Sequence, residues 1–187
     1  MCPLQFSLTS TVRAYVVMFE ETFSRDNLSS GLKGDAVALF RRAYRAQLAK
    51  DYEEAIGLYR RSIETYPTAE AHTFLGWVYS FQERYTEAID ECLEAIRVDA
   101  TFGNPYNDIG SYLIAQGDVW SCVRWFKRAL AAPRYESYAF PHFNLGRVYE
   151  QRGRLLDAIK HYGLALNEQP GFDGAAKALR RLQARLN

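Results

Sequence analysis

Residue types that could perform chemistry are present in this sequence, but their spacing assembles no catalytic or metal site. His72 and His142 occupy equivalent positions of a repeated pattern, where a bulky residue is expected, so we interpret them as packing or edge residues. His161 has no His or Cys at the spacing of metal ligands on a helix. The carboxylates are scattered over predicted helix faces, and no phosphate-binding glycine loop is found. We therefore predict no catalytic residue, no metal, no cofactor and a protein that is not an enzyme.

The three cysteines, Cys2, Cys92 and Cys122, form no Cys-x-x-Cys pair. Cys92 and Cys122 fall at helix-packing positions, which favours small buried hydrophobic residues in a reducing compartment. No apolar run approaches the ~20 residues of a membrane-spanning helix. No Lys or Arg occurs among the first twelve residues, which argues against the basic start of a signal peptide. We expect a cytoplasmic protein without a membrane span.

The charge balance limits the classes of partner. The chain of 187 residues has a net charge of +1, which argues against a nucleic-acid binder that relies on phosphate neutralisation. Charge is nevertheless uneven: residues 69–102 contain seven acidic and two basic residues, a net charge of −5, and residues 172–187 have a net charge of +3. The acidic segment is either a solvated outer face or an acidic docking patch.

The elements that carry these residues follow a repeat. Between Ala139 and Pro170, apolar residues at steps of three and four predict two amphipathic helices joined by a glycine turn. A small residue of the second helix recurs at intervals of 33, 34 and 36 positions, as Ala55, Ala88, Cys122 and Ala158. A small residue of the first helix keeps step with it, as Ala43, Gly76, Gly110 and Gly146. Four positions after the second-helix small residue stand Tyr59, Cys92, Phe126 and Tyr162.

A period of about 34 residues with these positions resembles the tetratricopeptide repeat, over roughly residues 36–171. The resemblance implies an all-α, right-handed superhelical solenoid of helix–turn–helix repeats. We divide the chain into an N-terminal extension (1–34), repeats within 35–171 and a C-terminal capping helix (172–187). The four repeats are assigned to residues 36–68, 69–102, 103–138 and 139–171.

Helix boundaries follow from capping residues and apolar periodicity. In the extension we predict a helix over 10–24 and a linker over 25–34. Asp35 is predicted to cap the first repeat helix, and Pro105 fits the first turn of another. The predicted helices of the repeats and of the cap are 36–49, 52–65, 69–82, 85–98, 105–116, 119–131 and 173–186.

The resemblance also indicates a binding surface, because the inner wall of such a superhelix commonly holds an extended peptide or a partner helix. Residues about 100° around each first helix from the packing positions would line this wall. Aromatic residues give large contact area, and asparagine can satisfy both groups of a bound backbone. The predicted partner-binding groove consists of Phe40, Tyr44, Thr73, Trp77, Asn104, Asn107, Ser111, Phe143, Asn144 and Arg147. Alternatively, some of these aromatics pack on the N-terminal helix or on the next repeat.

One subtype of the family can be weighed directly. Chaperone-binding members hold a C-terminal carboxylate with basic and asparagine residues from consecutive repeats. The corresponding positions here lack the required cations, and Asp108 would repel a carboxylate. We therefore predict no chaperone carboxylate clamp.

A possible second surface lies on the side of the second helices. Trp120 and Leu156 occupy one position of the repeat and Trp125 another, and both positions are polar in some other repeats. These residues could form an exposed apolar patch, or the connection over 133–137 could cover the tryptophans.

The sequence favours a non-catalytic scaffold or adaptor that binds a protein or peptide partner in the groove. The alternative is a permanent structural or assembly subunit of a larger complex, which would use its outer faces and the N-terminal helix. The oligomeric state stays open.

Overall fold

The structure is a computed structural model that describes residues 30–186. The helix predicted over 10–24 and Cys2 lie outside the described residues. Within the described range the chain forms nine α-helices and no β-strand. The helices are α1 (Ser30–Leu48), α2 (Tyr52–Thr65), α3 (Ala69–Phe81), α4 (Tyr85–Val98), α5 (Asn104–Ala115), α6 (Cys122–Ala131), α7 (Ala139–Gln151), α8 (Leu155–Glu168) and α9 (Asp173–Leu186). None of these helices combines the length and the apolar character that crossing a membrane requires.

The described residues divide into two compact units, one that ends at Tyr66 and one that begins at Pro67. In the first unit α1 and α2 form a hairpin around fully buried Tyr59. The Tyr59 hydroxyl donates a hydrogen bond to Gln47 Oε1 at 2.8 Å, and Ser62 Oγ donates one to the carbonyl of Ala36 at 2.8 Å. These bonds satisfy polar groups inside the seam between the two helices, where an unpaired group would be destabilising.

The start of α1 corrects two sequence predictions. The helix begins at Ser30, so Asp35 lies inside it rather than at its N-cap, and residues 30–34 are helical rather than part of a linker. Gly31 and Gly34 each weaken a helix by about 1 kcal/mol relative to alanine but do not prevent one. A tertiary contact supports the extra turn, because the Lys33 ammonium lies 5.3 Å from the ring centroid of Tyr66 at the end of α2.

In the second unit, helices α3 to α8 form three successive hairpins and α9 packs on α8. Turns with positive φ at Gly117 and Gly153 join the helices of the last two hairpins, a backbone conformation that glycine adopts without steric cost. Helix α9 contributes fully buried Leu182 to a core cluster with Phe126 and Leu145, while its Arg180 stays exposed. One apolar stripe on an otherwise polar helix is how a terminal helix covers the core of a repeat array.

Small residues meet large ones across each hairpin of the second unit. A Cβ atom placed on Gly110 would lie 2.6 Å from Phe126, and one on Gly146 would lie 2.6 Å from Tyr162. Gly76 approaches the backbone of α4 instead, because the residue opposite it is the smaller Cys92. Gly110 and Gly146 therefore allow the first helix of each of the last two hairpins to contact a large ring of the second helix.

The connection between α6 and α7 is fixed to the turn before α5. The Arg134 amide donates to the carbonyl of Thr101 at 2.9 Å, and the Gly103 amide donates to the carbonyl of Arg134 at 3.0 Å. The Arg134 guanidinium forms ion pairs with Glu70, at 2.6 Å, and with Asp99. A single arginine thus links the ends of three helices in the second unit.

Candidate functional site

Cross-helix hydrogen bonds align one face of α3, α5 and α7 in the second unit. Trp77 Nε1 on α3 donates to Asp108 Oδ2 on α5, and Asn144 Nδ2 on α7 donates to Ser111 Oγ on α5 at 3.3 Å. Asn107 Nδ2 donates to Asp108 Oδ1 at 3.3 Å. All five side chains are half-buried. We call these residues the inner face: Trp77, Asn107, Asp108, Ser111 and Asn144.

Asp108 is the electrostatic centre of the inner face. Burial raises the pKa of its carboxyl group to about 7, against the opposing effect of the hydrogen bonds from Trp77 and Asn107. Desolvation disfavours the charged form of a carboxylate, and no nearby cation offsets this effect here. The inner face therefore holds an acidic group that changes charge near neutral pH.

Asn107 adds a second hydrogen-bond acceptor. Its Oδ1 atom is buried and has no hydrogen-bond partner, because its Nδ2 faces the carboxylate of Asp108. The Ser111 hydroxyl, one turn later, donates to the backbone carbonyl of Asn107 at 3.0 Å and accepts from Asn144. A buried acceptor without a donor is uncommon in folded proteins and marks a position where a ligand or a water molecule gains a hydrogen bond.

Phe143 and Arg147 flank this face on α7, but Phe143 also belongs to the packing of the chain's end. Its ring lies 4.8 Å from that of Phe172 and 5.8 Å from that of Tyr162, measured between centroids. The Arg147 guanidinium lies 5.9 Å from the Phe143 ring centroid. Much of the Phe143 ring is therefore in contact with Tyr162 and Phe172, which follow it in the chain.

Three other residues predicted for the groove have buried side chains. Phe40, in the first unit, is 2% exposed and contacts the ring of Tyr59 edge-on at 5.4 Å. Thr73 is 1% exposed and donates its hydroxyl to the carbonyl of Ala69 at 2.7 Å. Asn104, in the first turn of α5, is also buried. The Phe40 ring points toward the second helix of its own hairpin. The position 100° from the packing residues is therefore a packing position in this hairpin and not part of a groove wall.

Tyr44 is the remaining predicted groove residue of the first unit. It is half-buried, and burial raises the pKa of its phenol group. Tyr44 and Phe40 belong to the first unit, whereas the hydrogen-bonded face of α3, α5 and α7 belongs to the second.

The tryptophans of the predicted second surface separate into two environments. Trp120 is 74% exposed and Leu156 is 77% exposed, and the Arg152 guanidinium lies 4.2 Å from the Trp120 ring centroid. Trp125 is half-buried and packs on a cluster that contains Tyr106 and Tyr135, the latter from the 133–138 connection. Trp125 therefore packs on a cluster to which the connection contributes, whereas Trp120 stays exposed.

The histidines form contacts between the two helices of a single hairpin, which the sequence reasoning missed. His142 Nδ1 and His161 Nδ1 lie 3.1 Å apart. At the equivalent place two hairpins earlier, His72 Nδ1 lies 2.7 Å from Glu91 Oε2. Burial lowers the pKa of both His142 and His161, the latter to about 4, with the charge of His142 as a smaller cause. The common separation of 19 residues was the available signal. No group of three potential metal ligands occurs among residues 30–186.

The repeat pattern of this fold matches a known family. A sequence model described as tetratricopeptide repeat matches residues 49–104, which span the second helix of the first hairpin and the whole of the second hairpin. Within residues 49–104 the chain therefore has the sequence pattern of the tetratricopeptide repeat. No curated protein matches the sequence significantly.

Solved structures extend the likeness in fold to most of the chain. PilF of Pseudomonas aeruginosa is 20% identical with a TM-score of 0.77, over 83% of this chain and 70% of PilF. YrrB, a tetratricopeptide repeat protein with an unusual peptide-binding site, is 21% identical with a TM-score of 0.62, over 89% of this chain and 82% of its own. The first tetratricopeptide repeat domain of RPAP3 (Spaghetti), bound to the HSP90 peptide SRMEEVD, is 23% identical with a TM-score of 0.58, over 64% and 93%. At these identities the likeness shows the fold, a helical solenoid.

Proposed function

We propose that this chain is a non-catalytic protein-interaction module that holds an extended peptide or a helix of a partner protein against the inner face of its second unit. The observation that carries the proposal is the row of half-buried polar groups that joins α3, α5 and α7. Structures of the same fold include a protein with a peptide-binding site and a domain bound to a peptide.

The chemistry of the inner face suits a polypeptide ligand. The Trp77 indole offers apolar contact area at low entropic cost, and Asn107 and Asn144 carry amide groups that can pair with a peptide backbone. An acidic C-terminal peptide such as SRMEEVD fits this face poorly, because Asp108 would repel its carboxylates. We accordingly propose a partner other than a chaperone C-terminus, and a cytoplasmic setting in which the buried thiols of Cys92 and Cys122 stay reduced.

The test is selection of displayed random peptides on the full chain, followed by affinity measurements with synthetic selected peptides. The double variant Trp77→Ala/Asn107→Ala should lose binding, while Trp120→Ala/Asn167→Ala, which removes the same residue types from exposed positions, should retain it. Circular dichroism checks that both variants keep their helices. Undiminished binding by the first double variant would remove the inner face from consideration.

A second function, a permanent subunit of a larger assembly, is favoured by the exposure of Trp120 and Leu156 on the second-helix side. Such a subunit would self-associate when made alone, because stable interfaces are large and rich in apolar groups. Sedimentation of the purified chain distinguishes the two functions. A monomer supports the adaptor, and concentration-dependent self-association that Trp120→Ala abolishes supports the subunit.

A further inference from the structure

Asp108 is a partly buried carboxylate of the second unit that forms no ion pair with a lysine or arginine among the described residues. Three other carboxylates are neutralised by arginine within the chain. These are Glu70 and Asp99, which pair with Arg134, and Glu150, which pairs with Arg181. Removing a carboxylate from water without a counter-charge is costly, so its retention at the inner face requires a reason outside the fold itself.

The groups around Asp108 are neutral or acidic. Its carboxylate receives hydrogen bonds from the neutral Trp77 indole and Asn107 amide. Burial, and to a smaller extent the negative charge of Asp108, raises the pKa of Cys92 and of Tyr112, which keeps both of these groups neutral. No lysine or arginine of residues 30–186 pairs with it, so the charge remains available to a ligand.

The adjacent Asn107 Oδ1 atom is a second acceptor that lacks a hydrogen-bond donor. It is also buried. The reverse orientation of the amide would point Oδ1 at the carboxylate of Asp108, so the hydrogen-bond network itself fixes Oδ1 as the amide atom without a partner. Carboxylate and amide oxygens together form an acceptor-only subsite, which matches a group that carries only N–H donors.

The wider charge distribution has the same sign. Residues 69–102, which include α3 and α4, carry a net charge of −5. An acidic surround steers a positively charged segment toward the site and excludes acidic ones. The acidic segment and the unpaired carboxylate therefore select the same class of ligand.

We infer that the inner face recognises a lysine or arginine side chain of its peptide partner, with the cationic head on Asp108 and Asn107 Oδ1. This inference rests on the proposed function, since it assumes that a peptide lies on the inner face. Hydrogen bonds between two charged groups are shorter and roughly twice as strong as neutral ones, so this contact would set specificity as well as affinity.

The experiment is a double-mutant cycle between chain and peptide. Peptides selected on the full wild-type chain are synthesised with each basic residue replaced by norleucine and measured against wild type, Asp108→Asn and Asp90→Asn. Asp90 is exposed on α4, so its variant removes the same charge away from the inner face. Asn at 108 keeps the size and hydrogen-bonding capacity of the side chain, because the Asn107 amide can rotate to pair with it.

We expect one basic residue in the selected peptides whose replacement weakens binding to wild type by roughly 30-fold or more, which is the lower end of the cost of truncating one partner of a buried charge pair. Asp108→Asn should weaken the parent peptide similarly, the two losses should not add, and Asp90→Asn should have little effect.

The outcomes separate the two proposals. If binding depends on Trp77 and Asn107 but no basic residue matters, or if Asp108→Asn binds the parent peptide as well as wild type, the recognition of a basic side chain is wrong and the inner face stands. If binding is indifferent to Trp77→Ala/Asn107→Ala, or no peptide is selected, the proposed function fails and this inference with it.

Discussion

Replacing Asp108 by Asn should stabilise the second unit at neutral and alkaline pH. In the folded chain the pKa of Asp108 is raised from 3.8 to about 7 by burial. At a pH above about 7 the folded state must hold the carboxylate ionised and partly desolvated, whereas the unfolded state holds it ionised in water. Asn carries no charge in either state, so the variant avoids this penalty.

The magnitude and its pH dependence follow from the shift. A difference of about three pKa units at 1.36 kcal/mol each gives an upper limit of about 4 kcal/mol. The side chain is only half-buried, and solvent screening reduces this figure to roughly 2 kcal/mol. Because the folded pKa lies above the unfolded one, the penalty is complete above about pH 7, shrinks as the pH falls from 7 toward 4 and is absent below that.

Urea unfolding of wild type, Asp108→Asn and Asp90→Asn at about pH 8 and about pH 5 measures the effect. Tryptophan fluorescence is a suitable probe because Trp77 donates to Asp108. We expect Asp108→Asn to exceed wild type by roughly 2 kcal/mol at the higher pH and by clearly less at the lower. A variant that is no more stable than wild type at pH 8, or a gain that does not change with pH, would refute the reasoning. The expected gain in stability of Asp108→Asn also matters for function, since it would mean that the natural aspartate weakens the fold.

Two further predictions concern the last hairpin. Gly146→Ala should destabilise the chain by about 1–2 kcal/mol, because its Cβ would lie 2.6 Å from Tyr162 and overpacking outweighs the helix propensity gained. Gly163→Ala in the neighbouring helix meets nothing and should be neutral or stabilising by up to ~1 kcal/mol, and equal urea midpoints for the two variants would count against the packing argument. The folded state lowers the pKa of His161 and His142, so the unfolded state binds protons more readily and the free energy of unfolding falls between about pH 7 and 4.5. His161→Gln should reduce this fall by roughly 1 kcal/mol, after discounting for the exposure of the side chain. An unchanged pH profile in urea unfolding contradicts that assignment.

Most of the helical framework could be predicted from the sequence, because helix formation and hairpin packing leave a local periodic record. Helix α2 covers the predicted residues 52–65 and α9 the predicted 173–186. The pairing of Gly110 with Phe126 and of Gly146 with Tyr162 follows from the phase of small and large residues. The start of α1 was missed since Asp35 resembles a cap, and only a contact from the end of α2 shows that the helix continues past it.

The candidate site could be predicted only in part. Position in the repeat predicts that Trp77, Asn107, Ser111 and Asn144 share one face, because side-chain direction on a helix follows sequence spacing, and in the structure hydrogen bonds join Trp77 and Asn107 to Asp108 and Asn144 to Ser111. It could not tell that Thr73, on the same predicted wall, is buried. Burial depends on how far the neighbouring helix covers a position, which spacing alone does not contain.

By itself, then, the sequence determined the helices, their order in hairpins and the residues that nest between them, since each of these depends on neighbours within about one repeat. The tertiary structure decided which polar groups meet. His142 contacts His161, 19 residues later, and Trp77 contacts Asp108, 31 residues later. Both contacts, and the lack of a cation beside Asp108, depend on the rotation and register of the helices that carry these residues. Charge compensation is a property of that three-dimensional arrangement, because ion pairs form by distance in space rather than by spacing along the chain.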